Sequence, residues 1–197
     1  MTRVPAMPDP MLETPLSVTM KDLEGRTYRT FRTSIQEWCQ ENLATRYFSN
    51  GDEIPLYESD QDYLNAGMRG EPACCYYNND ATLGPVYGLL YNGYAAHDPR
   101  GLAPEGWRIP DEMDWMMLEA QVKTSTEEPF VGLHGGSRGI NGAFGGFGTS
   151  GYWWSLIDPR PEQVWGRRLS KGNDHLDPID SFKRFGFSVR CMRELLP

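Results

Sequence analysis

The sequence has 197 residues, a length typical of a single domain, and 39% of them are hydrophobic, which argues against a fully disordered chain. No apolar run approaches the roughly 18 residues that a membrane-spanning helix needs, so we expect no membrane insertion. The net charge of −8 argues against nucleic acid as a partner, because phosphate binding requires a basic face.

Four prolines, at positions 5, 8, 10 and 15, interrupt the short apolar stretches near the N-terminus. A secretory signal needs an uninterrupted apolar segment of roughly 7–15 residues, so we predict no such signal. A protein without a secretory signal would be expected on a phage particle or in the cytoplasm. We predict an extended, proline-rich arm over residues 1–17 and one folded domain over residues 18–197.

Three segments in the first two thirds of the chain have recognisable periodicity. Apolar and polar residues alternate over residues 17–35 on both sides of Glu24-Gly25, which predicts a β-hairpin. Apolar residues at helical spacing predict one helix over residues 85–97 and a second over 111–122, with Asp111 as the N-cap of the second.

Residues 132–151 contain nine glycines in twenty positions. Phenylalanines within this run favour an irregular loop packed tightly against the core over a flexible linker. The G-x-x-x-x-G-K-[ST] pattern of a phosphate-binding loop does not occur, so a nucleotide site is not predicted here.

The last third has strand character. Residues 151–155, 164–169 and 185–192 predict strands, separated by polar connections at 156–163 and 170–184. Together the elements predict an α+β fold, with two helices and an irregular antiparallel sheet that has long loops.

Six short segments in one order resemble a known family, the Fibrobacter succinogenes major paralogous domain, and the resemblance spans residues 18–193. They are Trp38 with Glu41-Asn42-Leu43, Tyr76-Tyr77-Asn78-Asn79, Tyr87-Gly88 with Leu90-Tyr91-Asn92, Ala103-Pro104-Glu105-Gly106-Trp107 with Pro110, Gly151-Tyr152-Trp153-Trp154-Ser155, and Gly186-Phe187-Ser188-Val189-Arg190-Cys191.

This resemblance implies a C-type-lectin-like fold, related to that of the formylglycine-generating enzyme and to the variable proteins that retroelements diversify. It also implies an extracellular or cell-surface location. The terminal aromatic segments would be core strands, and the connections between them would face a ligand. Structural roles are expected for Trp107, Trp115, Tyr152, Trp153, Phe187, Val189 and Cys191.

The four cysteines carry no metal-binding or redox motif. A bridge between Cys39 and Cys191 stays open, and Cys74-Cys75 is interpreted as two buried thiols in preference to a vicinal disulfide. Oxidase chemistry in the related fold needs a reactive cysteine pair near the end of the chain, where only Cys191 is found. We therefore predict no catalytic residues and no enzyme, with an enzyme of that oxidase fold as an alternative.

A metal site is not predicted, and no cofactor is expected. Calcium is the one ion left open, because Asn173, Asp174, Asp177 and Asp180 offer hard oxygen ligands. Their spacing does not fit an EF-hand loop, and Asn and Asp are also common in turns.

Ligand binding is the function that we predict, with a surface protein or a glycan as the partner. Recognition concentrates on loops held by a rigid scaffold, and aromatic rings can stack on sugars or side chains.

Diversification by a retroelement is a further hypothesis. Residues 174–182 consist only of residue types that arise when the adenines of Asn codons are mutated. Alternatives are a phage-tail or surface adhesin that binds polysaccharide, and a structural domain of a larger assembly. The predicted ligand-binding residues are Trp154, Asp158, Arg160, Trp165, Arg167, Asp174, His175, Asp177, Asp180, Phe182 and Arg184.

Overall fold

The computed structural model describes residues 19–122, 130, 132–156 and 163–195, and the predicted N-terminal arm at residues 1–17 lies outside them. The described residues form twelve strands in two sheets and four helices. The strands are β1 (Thr19–Lys21), β2 (Thr27–Arg32), β3 (Gln36–Cys39), β4 (Cys74–Cys75), β5 (Leu90–Asn92), β6 (Gly135–Arg138), β7 (Phe144–Phe147), β8 (Ser150–Trp154), β9 (Gln163–Ser170), β10 (Leu176–Phe182), β11 (Gly186–Phe187) and β12 (Met192–Glu194). The helices are α1 (Asp60–Arg69), α2 (Gly84–Tyr87), α3 (Gly93–Ala96) and α4 (Glu112–Val122), and single 3₁₀ turns cover Tyr77–Asn79 and Ala81–Leu83.

The fold is therefore rich in β-structure, and the predicted α+β class of C-type-lectin-like type, with two helices and an irregular sheet, is wrong. The predicted helix over 85–97 is divided into the one-turn helices α2 and α3, with the buried strand β5 between them. The predicted polar connection over 170–184 contains the seven-residue strand β10. Its polar residues do not prevent strand formation, because β10 lies at the edge of its sheet, where alternate side chains reach water.

The smaller sheet has the strand order β1-β2-β3-β12, and all its pairs are antiparallel. The predicted hairpin around Glu24-Gly25 is confirmed, with Gly25 at φ 77° in the turn. Asp22 organises this turn, since its carboxylate accepts hydrogen bonds from the backbone N–H groups of Glu24 and Arg26, at 3.0 and 2.9 Å. The hydroxyl of Tyr28 donates to the same carboxylate at 2.6 Å.

The larger sheet has the order β10-β9-β8-β6-β11-β5-β4, and β7 pairs with β6. The glycine-rich run thus forms the β6–β7 hairpin and the start of β8, where an irregular loop was predicted. Gly136 shows why glycine is needed there: it has φ +71°, and a Cβ at this position would lie 2.6 Å from the carbonyl oxygen of Gly145.

Helix α4 confirms the prediction for residues 111–122, including the cap at Asp111. The Asp111 carboxylate accepts a hydrogen bond from the N–H of Asp114 at 2.9 Å, and the Asp114 carboxylate accepts one from the N–H of Asp111 at 2.8 Å. This reciprocal pair resembles a capping box. Helix α1 was not predicted, although Ser59 caps its N-terminus and Gly70 its C-terminus.

The C-terminal segment joins the two sheets. The strands predicted at 151–155 and 164–169 are confirmed as β8 and β9, whereas the predicted strand at 185–192 is two strands. Its first part, β11, pairs with β5 and β6 in the larger sheet, and β12 follows in the smaller sheet. Trp115, Trp153, Phe187, Val189 and Cys191 are buried as expected, and Trp107 and Tyr152 are partly buried.

Candidate functional site

One face of the β9–β10 hairpin exposes two aromatic rings. The register places Trp165 opposite Asp180 and Arg167 opposite Pro178, so these four side chains share a face. Phe182 lies one pair further along that face. The rings of Trp165 and Phe182 are at the outer end, where the residues are 37% and 43% exposed.

At the inner end of the same face, Arg167 attaches the hairpin to α4. Its guanidinium donates to the carbonyl oxygen of Leu176 at 2.7 Å and to the carboxylate of Glu112 at 2.6 Å. Arg167 is only 2% exposed. This predicted binding residue therefore positions the hairpin and presents little surface to a ligand.

Trp154, another predicted binding residue, is completely buried. Its indole N–H donates to the carbonyl oxygen of Tyr91 at 2.7 Å, and its ring centroid is 4.4 Å from that of Phe187. The ring is part of the core between the sheets and is not available for stacking on a ligand.

The predicted polar residues of the hairpin are spread along it. His175 Nδ1 is 2.7 Å from Glu119 Oε1, and Asp177 forms an ion pair with Arg168 at 3.3 Å. The side chain of Asp174 is 89% exposed.

In the part of the chain that the structure describes, no three His, Cys, Asp or Glu side chains converge as a metal site would require. Asn173, also considered for calcium, accepts a hydrogen bond from the N–H of His175, as in an Asx turn.

Two other predicted binding residues, Asp158 and Arg160, lie outside the described residues. The strand that follows them begins at Gln163, and Leu156 is the last described residue before them.

A turn after β10 places two cations beside open clefts. The N–H of Phe185 donates to the carbonyl oxygen of Phe182 at 3.0 Å, so the chain reverses at Lys183 and Arg184. Lys183 borders a cleft of about 680 Å³, and Arg184 borders a second cleft of about 400 Å³. Concave surfaces with convergent polar groups are common ligand sites.

The larger cleft is lined mainly by residues 96–98 and 101–109. Trp107 forms part of its wall, with the Arg193 guanidinium carbon 4.7 Å from the indole ring centroid. The His97 ring is held by a contact of 2.9 Å between Nδ1 and the carbonyl oxygen of Gly93. The sequence interpretation missed this cleft, because no local pattern in residues 96–109 indicates a concave surface, and Ser49, Leu156 and Lys183 complete it from distant parts of the chain. It also missed Lys183, although two consecutive cations in an acidic protein were a usable signal.

All four cysteines are free and buried. Burial raises the pKa of Cys191 to about 12 and that of Cys75 to about 11. Burial likewise raises the thiol pKa values of Cys39 and Cys74. The interpretation of Cys74-Cys75 as two buried thiols is confirmed, and the bridge left open between Cys39 and Cys191 is not formed.

A comparison with known protein families tests the resemblance seen in the sequence. A family model matches residues 32–131, which is half of the chain, and it describes the Fibrobacter succinogenes major domain. The chain belongs to this family. The part that matches the Fibrobacter succinogenes major domain runs from the end of β2 to just beyond α4 and includes most of the larger cleft.

The β9–β10 hairpin lies after the match to the Fibrobacter succinogenes major domain. No curated protein and no solved structure matches the sequence. Among the helices of the described residues, none has the length and apolar character needed to span a membrane.

Proposed function

We propose that this protein is a non-catalytic ligand-binding protein. Its binding face is the face of the β9–β10 hairpin that carries Trp165, Asp180 and Phe182. The observation that carries the proposal is the exposure of Trp165 and Phe182 on one face of that hairpin, with the carboxylate-bearing residue Asp180 on the same face. Exposed aromatic side chains next to polar groups are typical of binding surfaces.

The hairpin is held firmly enough to present these rings in a fixed arrangement. All seven residues of β10 pair with β9, and β9 in turn pairs with β8 over five residues. The buried Arg167 adds the connection to α4. Little conformational entropy is therefore lost at the surface when a ligand binds, which favours affinity.

The ligand that we propose is a glycan or a surface protein. A sugar ring can stack on Trp165 or Phe182 while its hydroxyl groups donate to the Asp180 carboxylate, and an aromatic or aliphatic protein side chain can use the same rings. A phage-tail or surface adhesin would use this surface in the same way.

The thiols support a binding role over the oxidase alternative. A cysteine nucleophile reacts as the thiolate, and burial raises the thiol pKa of all four cysteines. The described residues thus offer no thiol that would ionise readily at neutral pH.

Diversification of the hairpin by a retroelement is part of the proposal. Within residues 174–182, the exposed positions are 174, 175, 178, 180 and 182, and changes there would alter the surface without disturbing the core. Sequencing of closely related copies of the gene would test this idea. Substitutions are expected to concentrate at these positions, and an even spread over the gene would contradict diversification.

Binding itself is tested with an array of glycans and surface proteins, probed with the wild type and with the double variant Trp165→Ala/Phe182→Ala. The control is Phe147→Ala, which removes another aromatic residue that is 39% exposed but lies on β7. We expect a signal that the double variant loses and the control retains. Equal signals from all three proteins would place binding elsewhere, and no signal from the wild type would favour a structural domain of a larger assembly.

A further inference from the structure

We propose that Lys183 and Arg184, in the turn after β10 that borders both clefts, bind the carboxylate groups of an acidic polysaccharide. This inference rests on the proposed function, because Phe182 of the binding face directly precedes these two cations. It adds a second contact region and a chemical class of ligand to that function.

Neither of the two side chains forms an ion pair within the described part of the protein. Lys183 and Arg184 have no carboxylate within ion-pair distance among residues 19–122, 130, 132–156 and 163–195, although the protein is acidic overall. Most arginines do form such pairs: Arg29, Arg32, Arg46, Arg69, Arg100, Arg108, Arg138, Arg167, Arg168 and Arg193. Because neither cation has a carboxylate partner among the described residues, we infer that both can bind an external anion.

The fold holds Arg184 at the smaller cleft, beside α1, and Lys183 at the border of the larger cleft. Arg184 lies along α1, so that a Cβ added at Gly67 would be 3.3 Å from the Arg184 Cγ. Lys183 extends over Tyr94, with Nζ 6.0 Å from the ring centroid. The C-terminal end of α1 is nearby; its partial negative charge helps to hold the Arg184 guanidinium there but repels an anion, so the cations must outweigh it.

The walls of the smaller cleft suit a sugar that carries a carboxylate. The guanidinium of an arginine can donate two parallel hydrogen bonds to one carboxylate, and a lysine can neutralise a second. Tyr94 and the backbone of Gly67 and Gly70 provide apolar surface for the C–H groups of a sugar ring. Because Lys183 and Arg184 follow the strand that carries Phe182, one extended chain could contact both regions.

The net negative charge of the protein does not prevent this recognition. At physiological ionic strength the Debye length is about 8 Å, so carboxylates on distant parts of the surface are largely screened. The charged residues that line the smaller cleft are Arg184 and Arg69, which is paired with Glu71, so the lining itself carries positive charge.

The experiment measures binding to immobilised polygalacturonate and to the same polymer with its carboxylates converted to methyl esters. The test variant is Lys183→Met/Arg184→Met, in which methionine keeps much of the apolar stem of each side chain. The control is Arg26→Met/Lys21→Met, which removes the same two types of charge at exposed positions on and beside β1, away from the β9–β10 hairpin. Thermal unfolding of each variant confirms that it is folded.

We expect the wild type and the control to bind polygalacturonate, and the test variant to bind about tenfold more weakly, as expected for the loss of charge-assisted hydrogen bonds. The methyl ester should bind no better to the wild type than to the test variant. Equal weakening in the control, or equal binding of both polymers by the wild type, would overturn the inference.

Two further results separate this inference from the proposed function. If the wild type binds neutral glycans or proteins on the array but not polygalacturonate, the proposed function stands and the acidic ligand is wrong. If polyglutamate binds as tightly as polygalacturonate and loses affinity in the same variant, the assignment to a polysaccharide is wrong, because the cleft then recognises carboxylates on a peptide equally well.

Discussion

At the scale of single residues, the four thiols illustrate how strongly burial controls chemistry in this protein. A thiol surrounded by apolar groups resists ionisation, because the thiolate would lose its hydration. Coulombic repulsion between neighbouring thiolates also contributes for Cys39 and Cys74. The cysteines therefore act as small core residues.

The first prediction follows from this burial. At about pH 8, close to the ordinary thiol pKa, we expect a thiol-reactive dye to label no cysteine of the folded protein within minutes. In denaturing guanidinium all four should react, since all are free. Rapid labelling of even one thiol in the folded protein would contradict the buried arrangement and reopen cysteine chemistry as a function.

A second residue-scale prediction concerns pH. Arg100 donates to both oxygens of the Asp98 carboxylate, each at 2.8 Å, and to the Asp52 carboxylate at 3.0 Å. The hydrogen bonds from Arg100 lower the pKa of both carboxyl groups. A lowered folded-state pKa contributes stability above the ordinary carboxyl pKa, and this contribution is lost as pH falls through the lowered value.

We therefore expect Arg100→Met to lower the melting temperature at neutral pH, and the difference from wild type to shrink once the pH falls below about 4. Melting curves recorded across this range measure the difference. Lys171→Met, which removes an exposed cation without an ion pair among the described residues, should show no such trend. A difference that stays constant with pH would mean that Arg100 stabilises the fold through its contact with Phe48 alone.

At the scale of secondary-structure elements, the β6–β7 hairpin contains glycines with different requirements. Gly136 has a positive φ, and any Cβ there would meet the backbone of β7, whereas a Cβ at Gly145 would have no atom within 4 Å. We expect Gly136→Ala to lower the free energy of unfolding by about 2 kcal/mol and Gly145→Ala to change it by less than about 0.5 kcal/mol. Urea denaturation measures both, and similar losses at the two positions would contradict this account.

The elements that the sequence predicted correctly have strong local signals. In each case the residues that form the pattern lie within a few positions of one another in the sequence. The cases are the first hairpin, the Trp153-Trp154 strand and the Asp111 cap. Helix α1 was missed because its buried face consists of Tyr63, Ala66 and Gly67, which give a weak apolar pattern.

Other elements depend on distant contacts that no local pattern reveals. Residues 85–97 resemble a helix in their spacing, but β5 is held between β4 and β11, which are formed by distant parts of the chain. For the candidate site, the sequence indicated Phe182 and Arg184 as part of a predicted polar connection, and Trp165 as an aromatic residue that flanks one. It could not reveal that Trp154 faces the core, because burial depends on which sheet packs over that face.

At the scale of the whole molecule, the main strand order of the larger sheet ends in β4 and β10, and these two edge strands are protected differently. Strand β4 forms one edge, and Leu56 adds a bridge to its outer side. Strand β10 forms the other edge and has Pro178 at its centre. A proline in an edge strand offers no N–H, which discourages pairing with a second chain.

We therefore predict that Pro178→Val increases self-association, because it restores a hydrogen-bond donor on a β10 that is otherwise able to pair. Sedimentation velocity over a range of concentrations should show more dimer than in the wild type. Pro99→Val, outside the sheets, serves as the control. If neither variant changes the sedimentation profile, the edge of β10 is protected by something other than its proline.

The position of β11 and β12 late in the chain has a consequence for biosynthesis. Strand β11 joins β5 to β6, and β12 completes the smaller sheet with contacts such as that between Glu37 and Arg193, which are 156 positions apart. The larger sheet cannot close before residue 187 has left the ribosome, and the smaller sheet cannot close before residue 194 has done so. Contacts so distant in sequence slow folding, and the incomplete sheets expose unpaired edges meanwhile. We expect both sheets to be complete only once residue 194 has emerged, whereas the β1–β2 hairpin can form as soon as its own residues are exposed.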